Sequence, residues 1–303
     1  MSQFVSLKNK LMQICPDLQI LEQEPMSRHT TFRVGGPVSL MALPQTAHQA
    51  EIAVRAAAEA DIRPVFLGNG SNLLVPDAGC DAFVIKTTNG LCNMQVDGTQ
   101  VTAESGVLLA RLAVFARDHG LTGLEFAHGI PGSLGGAVTM NAGAYDGEMA
   151  QVVTEVTYLT SEGQCETTNQ FDFSYRHSAF SDGTRMILSV KLQLQTGDVL
   201  AIRARMEELM ERRKSKQPLE WPSAGSTFKR PKGYFAAALI DQCGLKGLTV
   251  GGAQVSEKHA GFVINRGGAT CADVLTVMEQ VRQRVFDATG VELEPEVKLL
   301  GER

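Results

Sequence analysis

The sequence predicts an α+β protein of more than one domain, and three observations support this prediction. The chain has 303 residues, 44% of them hydrophobic, which is enough for about two domains with substantial cores. Short apolar segments of strand character alternate with a few amphipathic helical segments. Residues 1–200 carry 12 Lys and Arg against 20 Asp and Glu, whereas residues 201–303 carry 16 against 13. We therefore expect a distinct, mildly basic last domain that meets an anionic ligand.

The composition excludes several other classes of protein. No apolar stretch approaches the roughly 18 residues of a membrane-spanning helix, and the N-terminus lacks the apolar core of a signal peptide. We therefore expect a cytoplasmic protein without membrane insertion. The six cysteines are scattered and predict neither disulfides nor a metal site. The basic excess is too small, and lacks the interleaved aromatic residues, for a nucleic-acid partner.

Residues 1–86 are predicted to form a first α+β lobe. The spacing of apolar residues predicts a helix over 4–14. The extended segment TTFRVGGPVSLMALP follows, and a T-x-x-Q capping box then begins a second helix at Thr46 that ends near Ala60. The apolar strands PVFLG, LLV and AFVIK complete the lobe, and the loop GNGSN interrupts them.

Residues 87–200 are predicted to form a second lobe with more strands than helices. The segment MQVDGTQVTAES predicts a hairpin whose two-residue turn is Asp97-Gly98. A helix over 107–119 ends at a glycine, and VVTEVTYLT and QCETT predict two further strands. Strict alternation of apolar and polar residues over 186–195 predicts a half-buried strand.

Residues 201–303 are predicted to form the last, smaller α+β domain. Helices are expected over 199–216, over 234–243 and from a Thr270 cap to Thr289. The apolar residues of VELEPEVKLL predict a closing strand.

Two glycine-rich loops are the most unusual local features. GNGSN (68–72) lacks the third glycine and the following helix of a dinucleotide-binding loop, which leaves a backbone anion site or a plain tight turn. GIPGSLGGAVTMNAGAYDGE (129–148) combines many glycines with serine and alanine. Because glycine is kept where a backbone must approach something closely, this segment predicts either a flat ligand with a pyrophosphate or tight internal packing.

Three polar segments could carry chemistry, although each also fits a structural role. Tyr175 and Arg176 stand in FSYRHSAF, where a surface arginine would be unremarkable. Ser226 stands in SAGSTFKRP, which is also typical of a serine turn with a solvated basic face. Glu296 stands in EPEVKLLG, where it could be an exposed charge of an edge strand.

Taken together, six segments in one order resemble the UDP-N-acetylenolpyruvoylglucosamine reductase (MurB) family. They are HTTFRVGG, GNGSN, GIPGSLGGAVTMNAGAY, YRHS, AGSTFKRP and EPEVKLLG, and they cover the chain from about His29 to Gly301. The resemblance implies a two-lobed FAD-binding unit of the vanillyl-alcohol-oxidase (PCMH-like) type, followed by a substrate-binding domain. It also implies an NADPH-dependent flavoenzyme that reduces UDP-N-acetylglucosamine enolpyruvate to UDP-N-acetylmuramate in peptidoglycan synthesis.

The resemblance also assigns roles to individual residues. It implies catalysis by Arg176, Ser226 and Glu296, with Ser226 as the proton donor. It implies phosphate or substrate contacts for Tyr175, Lys216 and Arg230. The FAD, held without a covalent bond and mostly through backbone groups, is expected at residues of the two loops: Gly68, Asn69, Gly70, Ser71, Asn72, Gly129, Ile130, Pro131, Gly132, Ser133, Gly136, Ala137, Asn141, Ala142 and Gly143. NADPH is the implied co-substrate, and a monomer is favoured.

The chain departs from part of that family in one respect. Longer members carry an inserted loop with a tyrosine after the strand that corresponds to 186–195, whereas here Thr196-Gly197-Asp198 leads directly into the next helix. The chain therefore resembles the shorter subtype, and Arg230 stands where longer members tend to have asparagine. Two alternatives stay open on the residues alone: an FAD oxidase of alcohols, and a non-enzymatic nucleotide-binding protein.

Overall fold

The computed structural model describes residues 3–301, and the chain divides into two compact units that are interleaved along the sequence. Unit 1 comprises the chain up to Glu22, Ser39–Asn69 and Ala82–Glu211. Unit 2 comprises Gln23–Val38, Gly70–Asp81 and the chain from Arg212 onward. The predicted lobe and domain boundaries at residues 86 and 200 stay a prediction.

The described residues form seven α-helices. They are α1 (Gln3–Ile14), α2 (Ala47–Glu59), α3 (Leu109–Asp118), α4 (Leu134–Thr139), α5 (Val199–Lys216), α6 (Ala236–Gln242) and α7 (Cys271–Thr289). The predicted helices are confirmed, with α3 and α6 each beginning two residues later than expected. Helix α4 lies inside the second glycine-rich loop and was not predicted, because paired glycines disfavour a helix.

The described strands are mostly short. They are β1 (Gln19–Pro25), β2 (Pro37–Leu43), β3 (Val65–Leu67), β4 (Leu73–Leu74), β5 (Cys80–Lys86), β6 (Met94–Asp97), β7 (Gln100–Glu104), β8 (Leu121–Thr122), β9 (Gly143–Ala144), β10 (Gly147–Glu148), β11 (Val153–Leu159), β12 (Cys165–Thr168), β13 (Met186–Gln193), β14 (Gln195–Thr196), β15 (Thr249–Val250), β16 (Ala253–Val255), β17 (Val263–Asn265) and β18 (Lys298–Leu299).

Two larger sheets form the framework of unit 1. One has the strand order β1-β2-β5-β3, with β3 parallel to β5, and the other is an antiparallel sheet in the order β12-β11-β13-β7-β6. Leu11, Ala53 and Phe83 belong to one buried cluster of this unit, and Leu112 and Leu192 belong to another. The second cluster includes apolar residues of α4, so the glycine-rich segment is anchored in a core.

The second sheet confirms two strand predictions and corrects three details. Strand β13 alternates only from Leu188 onward, because Ile187 is also buried. It ends at Gln193, and β14 pairs with β8 instead. The hairpin turn is Gly98-Thr99 rather than the predicted Asp97-Gly98, because Asp97 pairs with Gln100. Gly98 has φ +58°, and a left-handed glycine at the first position of a two-residue turn suits the twist of a hairpin.

Unit 2 combines the antiparallel sheet β15-β16-β17 with α6 and α7. Its core includes Phe228, Ile240, Val263 and Val281. Strand β18 pairs in parallel with β4, whose residues also belong to this unit.

The predicted closing strand over residues 291–300 is wrong as one continuous element. The N–H of Glu296 donates to the carbonyl of Thr227 at 2.8 Å, whereas the N–H of Lys298 donates to the carbonyl of Asn72 at 3.1 Å. The segment thus changes partners within two residues, and Pro295 has no N–H to give to either ladder. Only Lys298–Leu299 is regular strand.

Two features are absent from residues 3–301. None of the helices is both long and apolar enough to cross a membrane. No group of three or more His, Cys, Asp or Glu side chains in this part of the chain is placed to hold a metal ion.

Candidate active site

The two glycine-rich loops meet in unit 1, so residues that the sequence singled out separately share one site. The side-chain amide of Asn69 donates to the carbonyl of Pro131 at 2.6 Å. A β-carbon built on Gly68 would lie 2.0 Å from Oγ of Ser133. With the Ser133 hydroxyl in this position, only glycine at residue 68 allows the first loop to approach the second this closely.

Glycine is found in the second loop for two different reasons. A β-carbon on Gly135 would lie 2.9 Å from Cβ of Ser105, and one on Gly147 would lie 2.5 Å from the ring of Phe126. Internal packing accounts for these two positions. Gly136, in contrast, is exposed on α4, and the nearest atom to its β-carbon would be Oγ of Ser133 at 3.6 Å. Packing within the protein does not account for this glycine, where alanine would favour the helix.

Three polar side-chain atoms lie buried without a hydrogen-bond partner among the described residues: Oγ of Ser105, Nδ1 of His128 and Oγ of Ser133. All three adjoin the glycine-rich segment, since the carbonyl of Ser105 accepts from the N–H of Gly135 at 2.8 Å and His128 directly precedes Gly129. A buried polar group without a partner costs about 1–3 kcal/mol. Such a group usually has a reason to be kept.

The charge state of His128 follows from its surroundings. Burial lowers the pKa of this histidine, and the nearby charge of Arg117 lowers it further. The ring is therefore neutral at neutral pH, with one nitrogen able to donate and the other able to accept a hydrogen bond.

Two backbone N–H groups at the start of helix α4 are already used in hydrogen bonds within the protein. The N–H of Leu134 donates to the carbonyl of Val107, and the N–H of Gly135 donates to that of Ser105, both at 2.8 Å. Ser133 begins the helix without a side-chain cap hydrogen bond. Its hydroxyl is thus not used for the helix itself.

The GNGSN loop runs from one unit to the other. Gly68 and Asn69 belong to unit 1, and the other three residues belong to unit 2. Gly70 has φ +62°, and a β-carbon there would lie 2.1 Å from the carbonyl oxygen of His29. The side-chain amide of Asn72 donates to the carbonyl of Glu296 at 3.1 Å. Asn72 therefore fixes the backbone of another predicted site residue.

Arg176 lies at the tip of a tight turn in unit 1. Ser174 and His177 exchange both backbone hydrogen bonds, at 3.1 and 3.2 Å, so Tyr175 and Arg176 form a two-residue turn. Arg176 has φ +57°, which is uncommon for a residue with a side chain. Its guanidinium carbon lies 5.0 Å from the centre of the Tyr175 ring, and the structure thus places these two predicted residues side by side.

Ser226 and Glu296 lie on neighbouring segments of unit 2. Glu296 donates its N–H to Thr227, the residue after Ser226, at 2.8 Å, and Lys229 donates to the carbonyl of Glu294 at the same distance. Thr227 is buried, and its hydroxyl accepts from the N–H of Val263 at 3.0 Å. Ser226 itself is exposed and Glu296 half-buried.

The two predicted phosphate-binding cations lie at different elements of unit 2. Lys216 is exposed in the last turn of α5. The guanidinium of Arg230 stacks on the exposed ring of Phe235, 3.9 Å from its centre. The ring quadrupole attracts the positive charge, so this stacking helps to hold the guanidinium in place.

The amino-acid sequence matches two family models and a relative of known family. The model described as "FAD binding domain" matches residues 38–169, and that of the "UDP-N-acetylenolpyruvoylglucosamine reductase, C-terminal domain" matches residues 217–300. The chain is 49% identical to the UDP-N-acetylenolpyruvoylglucosamine reductase of Pediococcus pentosaceus over 95% of this chain and 96% of the relative. The chain belongs to the UDP-N-acetylenolpyruvoylglucosamine reductase family.

Two further members of this reductase family match over nearly the full length of both chains. The namesake enzyme of Clostridium novyi is 46% identical over 100% of this chain and 99% of its own. The crystal structure of the Thermus caldophilus reductase matches with a TM-score of 0.80 and 34% identity, over 93% of this chain and 98% of that one. The predicted α+β fold, a two-lobed FAD-binding unit with a substrate-binding domain, is confirmed.

The family is one of FAD-containing oxidoreductases that use NADPH, and the residues of unit 1 fit FAD. The buried hydroxyls of Ser105 and Ser133 offer hydrogen bonds that nothing in the described protein takes up. The exposed glycine at 136 leaves room for a close approach of a ligand to the backbone. The site thus has the small side chains and polar contacts that a large, flat, anionic cofactor needs.

Two residues of this site were not predicted from the sequence. Ser105 lies at the end of β7, far from either glycine-rich loop in sequence, and His128 comes one residue before the second loop. Nearness to Gly129 was a weak signal for His128, and the sequence holds no comparable signal for Ser105.

Proposed function

We propose that the chain reduces the enolpyruvyl ether of UDP-N-acetylglucosamine enolpyruvate to the lactyl ether of UDP-N-acetylmuramate, at the expense of NADPH. The observation that carries this proposal is the hydrogen bond between Glu296 N–H and the carbonyl of Thr227. This hydrogen bond supports the proposal because it joins the segment of Ser226, the proposed proton donor, to the segment of Glu296, and a proton donor must stand close to the carbon that it protonates.

We propose that residues of unit 1 bind the FAD. Gly68, Asn69, Ser133 and Gly136 would hold the FAD, with the hydroxyl of Ser105 and the neutral ring of His128 as additional contacts. Bound FAD supplies the hydride, which it obtains from NADPH. The remaining predicted cofactor residues of the two loops contribute through their backbone.

Arg176 and Glu296 are proposed to stabilise negative charge. When one carbon of the double bond accepts hydride, the neighbouring carbon, which bears the carboxylate, becomes an enolate-like carbanion. Preorganised donors at the place where charge develops lower the barrier. Arg176 would supply fixed positive charge, and Glu296 would contribute as a protonated or proton-sharing carboxyl group.

Ser226 is proposed to donate the proton that completes the reaction. Its hydroxyl proton passes to the carbanion, a C–H bond forms, and the resulting alkoxide is reprotonated from solvent. A serine hydroxyl is a weak acid, but a carbanion is a strong base, so the transfer is favourable. The exposure of Ser226 is in keeping with access of both substrate and water.

Positively charged side chains are proposed to bind the anionic end of the substrate. Lys216 and Arg230 are proposed to bind the diphosphate of the UDP group, and Tyr175 is proposed to contact the substrate beside Arg176. We also propose that the enzyme works as a monomer in the cytoplasm, where NADPH and a nucleotide sugar are at hand. Light scattering after size-exclusion chromatography measures the oligomeric state.

Anaerobic half-reactions test the proposed function. NADPH should bleach the yellow holoenzyme, and the UDP-enolpyruvyl sugar should restore the colour. Ser226→Ala should leave bleaching nearly unchanged and slow reoxidation by substrate by about 100-fold or more. Ser223→Ala is the matched control, because Ser223 lies in the same loop and its hydroxyl accepts only one long contact, 3.5 Å from the N–H of Gly225.

Four results would count against the proposal or against one of its residue roles. A protein that takes up no FAD would exclude any flavin reaction. Oxygen consumption with simple alcohols, without reoxidation by the UDP-sugar, would indicate an oxidase. Equal loss of both half-reactions in Ser226→Ala would make the serine structural, and wild-type reoxidation in Glu296→Gln would remove that carboxyl group from the mechanism.

A further inference from the structure

The side chain of Asn141 joins the glycine-rich segment to the turn that carries Arg176. Its Nδ2 donates to the carbonyl of Ser174 at 3.2 Å and to a carboxylate oxygen of Glu148 at 3.2 Å. Its Oδ1 accepts the N–H of Ala150 at 2.9 Å. One buried amide therefore connects three segments of unit 1.

Asn141 is suited to this position by its backbone as well as its side chain. It is 2% exposed and directly follows the C-cap of α4, with φ +41°. Asparagine is among the few residues that enter this left-handed region readily. Glycine would share the backbone but would lack the three hydrogen bonds.

A second connection holds the other side of the same turn. The hydroxyls of Ser178 and Ser181 both donate to the carbonyl of Thr139 at 2.9 Å, at the end of α4. The segment from Ser174 to Ser181 is thus attached at both ends to residues 139–141. The position of the intervening Arg176 depends on where α4 ends.

The turn has a reason to need such an attachment. Arg176 adopts a left-handed conformation, which is strained for a residue with a side chain and persists only where the surroundings fix it. The carbonyl of Ser174 receives two donors, the N–H of His177 and Nδ2 of Asn141. The second donor fixes the base of the turn from outside.

We propose that Asn141 is a positioning residue for Arg176, acting through the carbonyl of Ser174. This inference rests on the proposed function of Arg176 in charge stabilisation. Asn141 then affects the step in which the UDP-enolpyruvyl sugar is reduced, and it has little effect on the reduction of the flavin by NADPH. The segment that would hold the FAD and the turn that would hold the substrate are built as one hydrogen-bonded piece.

The test compares Asn141→Gly with the wild-type holoenzyme in the two anaerobic half-reactions. Glycine keeps the left-handed backbone without strain and removes only the side chain. Because Asn141 is proposed to hold the FAD only through its backbone, which glycine keeps, we expect FAD content and bleaching by NADPH within about 2-fold of wild type. Reoxidation by the UDP-enolpyruvyl sugar should be slower by about 10- to 100-fold, as for a misplaced catalytic group.

A double-mutant cycle separates positioning from general damage. If Asn141 acts through Arg176, adding Asn141→Gly to Arg176→Ala should slow reoxidation by less than about 2-fold beyond Arg176→Ala alone. Gln151→Ala is the matched control: its side chain accepts the N–H of Glu148 at 3.4 Å and donates to the carbonyl of Asp146 at 3.1 Å, but it makes no described hydrogen bond to the Arg176 turn. It should leave both half-reactions unchanged.

Two results would overturn the inference. One is additive slowing in the cycle, and the other is equal slowing of both half-reactions. If Asn141→Gly does not fold with FAD, Asn141→Asp combined with Glu148→Gln replaces it, because aspartate keeps the acceptor for Ala150 and loses the donor to Ser174, while the glutamine avoids a pair of buried carboxylates. Failure of the wild-type enzyme to be reoxidised by the UDP-sugar would instead refute the proposed function, and the inference with it.

Discussion

Gly68 lies directly against the side chain of Ser133: a β-carbon on Gly68 would be 2.0 Å from Oγ and 3.2 Å from Cβ of Ser133. We expect Gly68→Ala to destabilise the apoprotein by several °C in melting temperature, because this hydroxyl would have to move. Adding Ser133→Ala removes the clashing oxygen and should restore much of the loss. The thermal unfolding of the two single variants and the double variant, followed by circular dichroism, measures this rescue.

Ser133→Ala by itself should separate stability from cofactor binding. Its Oγ is buried without a described partner, so its removal should leave the apoprotein unchanged or up to about 1 kcal/mol more stable. FAD affinity should fall about 5- to 10-fold, the value of one hydrogen bond. Fluorescence titration of apoprotein with FAD gives the dissociation constant, and unchanged affinity would show that the hydroxyl does not contact the cofactor.

Gly136→Ala distinguishes the ligand explanation of the glycine-rich segment from the packing explanation. The position is exposed and helical, so alanine should stabilise the apoprotein by about 0.5–1 kcal/mol. If the cofactor approaches this backbone, the same change should weaken FAD binding. Gly135→Ala is the contrasting variant, because its β-carbon would lie 2.9 Å from Ser105 and it should destabilise the apoprotein directly.

Acid sensitivity of unit 1 should depend on His128, whose pKa is lowered by burial and by Arg117. A histidine with a depressed pKa in the folded state contributes stability above its ordinary value of about 6.5. That contribution is lost as the pH falls below this value toward the folded-state pKa. The melting temperature of His128→Gln should therefore fall less than that of wild type between about pH 7.5 and 5.5. His48→Gln, which removes a histidine whose side chain is 77% exposed, is the control variant.

Most helices could be predicted from the sequence because their signals are local. Thr270 and Asp273 form the full capping box of α7, and Gly290 ends that helix in a left-handed conformation. At α2 only half of the expected box is present, since the side chain of Gln49 accepts from the N–H of Gln45 instead. Local sequence signals thus predicted where the helices begin and end, but not which backbone N–H the capping side chain of Gln49 binds.

Elements that depend on distant partners could not be predicted. Helix α4 forms although glycine disfavours it, because Leu134 and Val138 are buried in the core of unit 1. In the candidate site, the glycines were visible in the sequence because they are unusual. That Ser105 and His128 are buried without partners is a property of the tertiary structure, and no sequence pattern reports it.

The start of α7 allows a stability prediction that is confined to unit 2. The carboxylate of Asp77 accepts the N–H groups of Cys271 at 2.7 Å and Ala272 at 3.1 Å, so it satisfies two donors and opposes the positive end of the helix dipole. Asp77→Ala should lower the free energy of unfolding by about 1–2 kcal/mol, and Asp77→Asn by less, since an amide oxygen can still accept. Trp221 is the single tryptophan of the chain and lies in unit 2, so its fluorescence in urea reports this unit. Asp241→Ala, which breaks an exposed ion pair with Lys246, should cost less than about 0.5 kcal/mol, and an equal effect of the two alanine variants would refute the capping role.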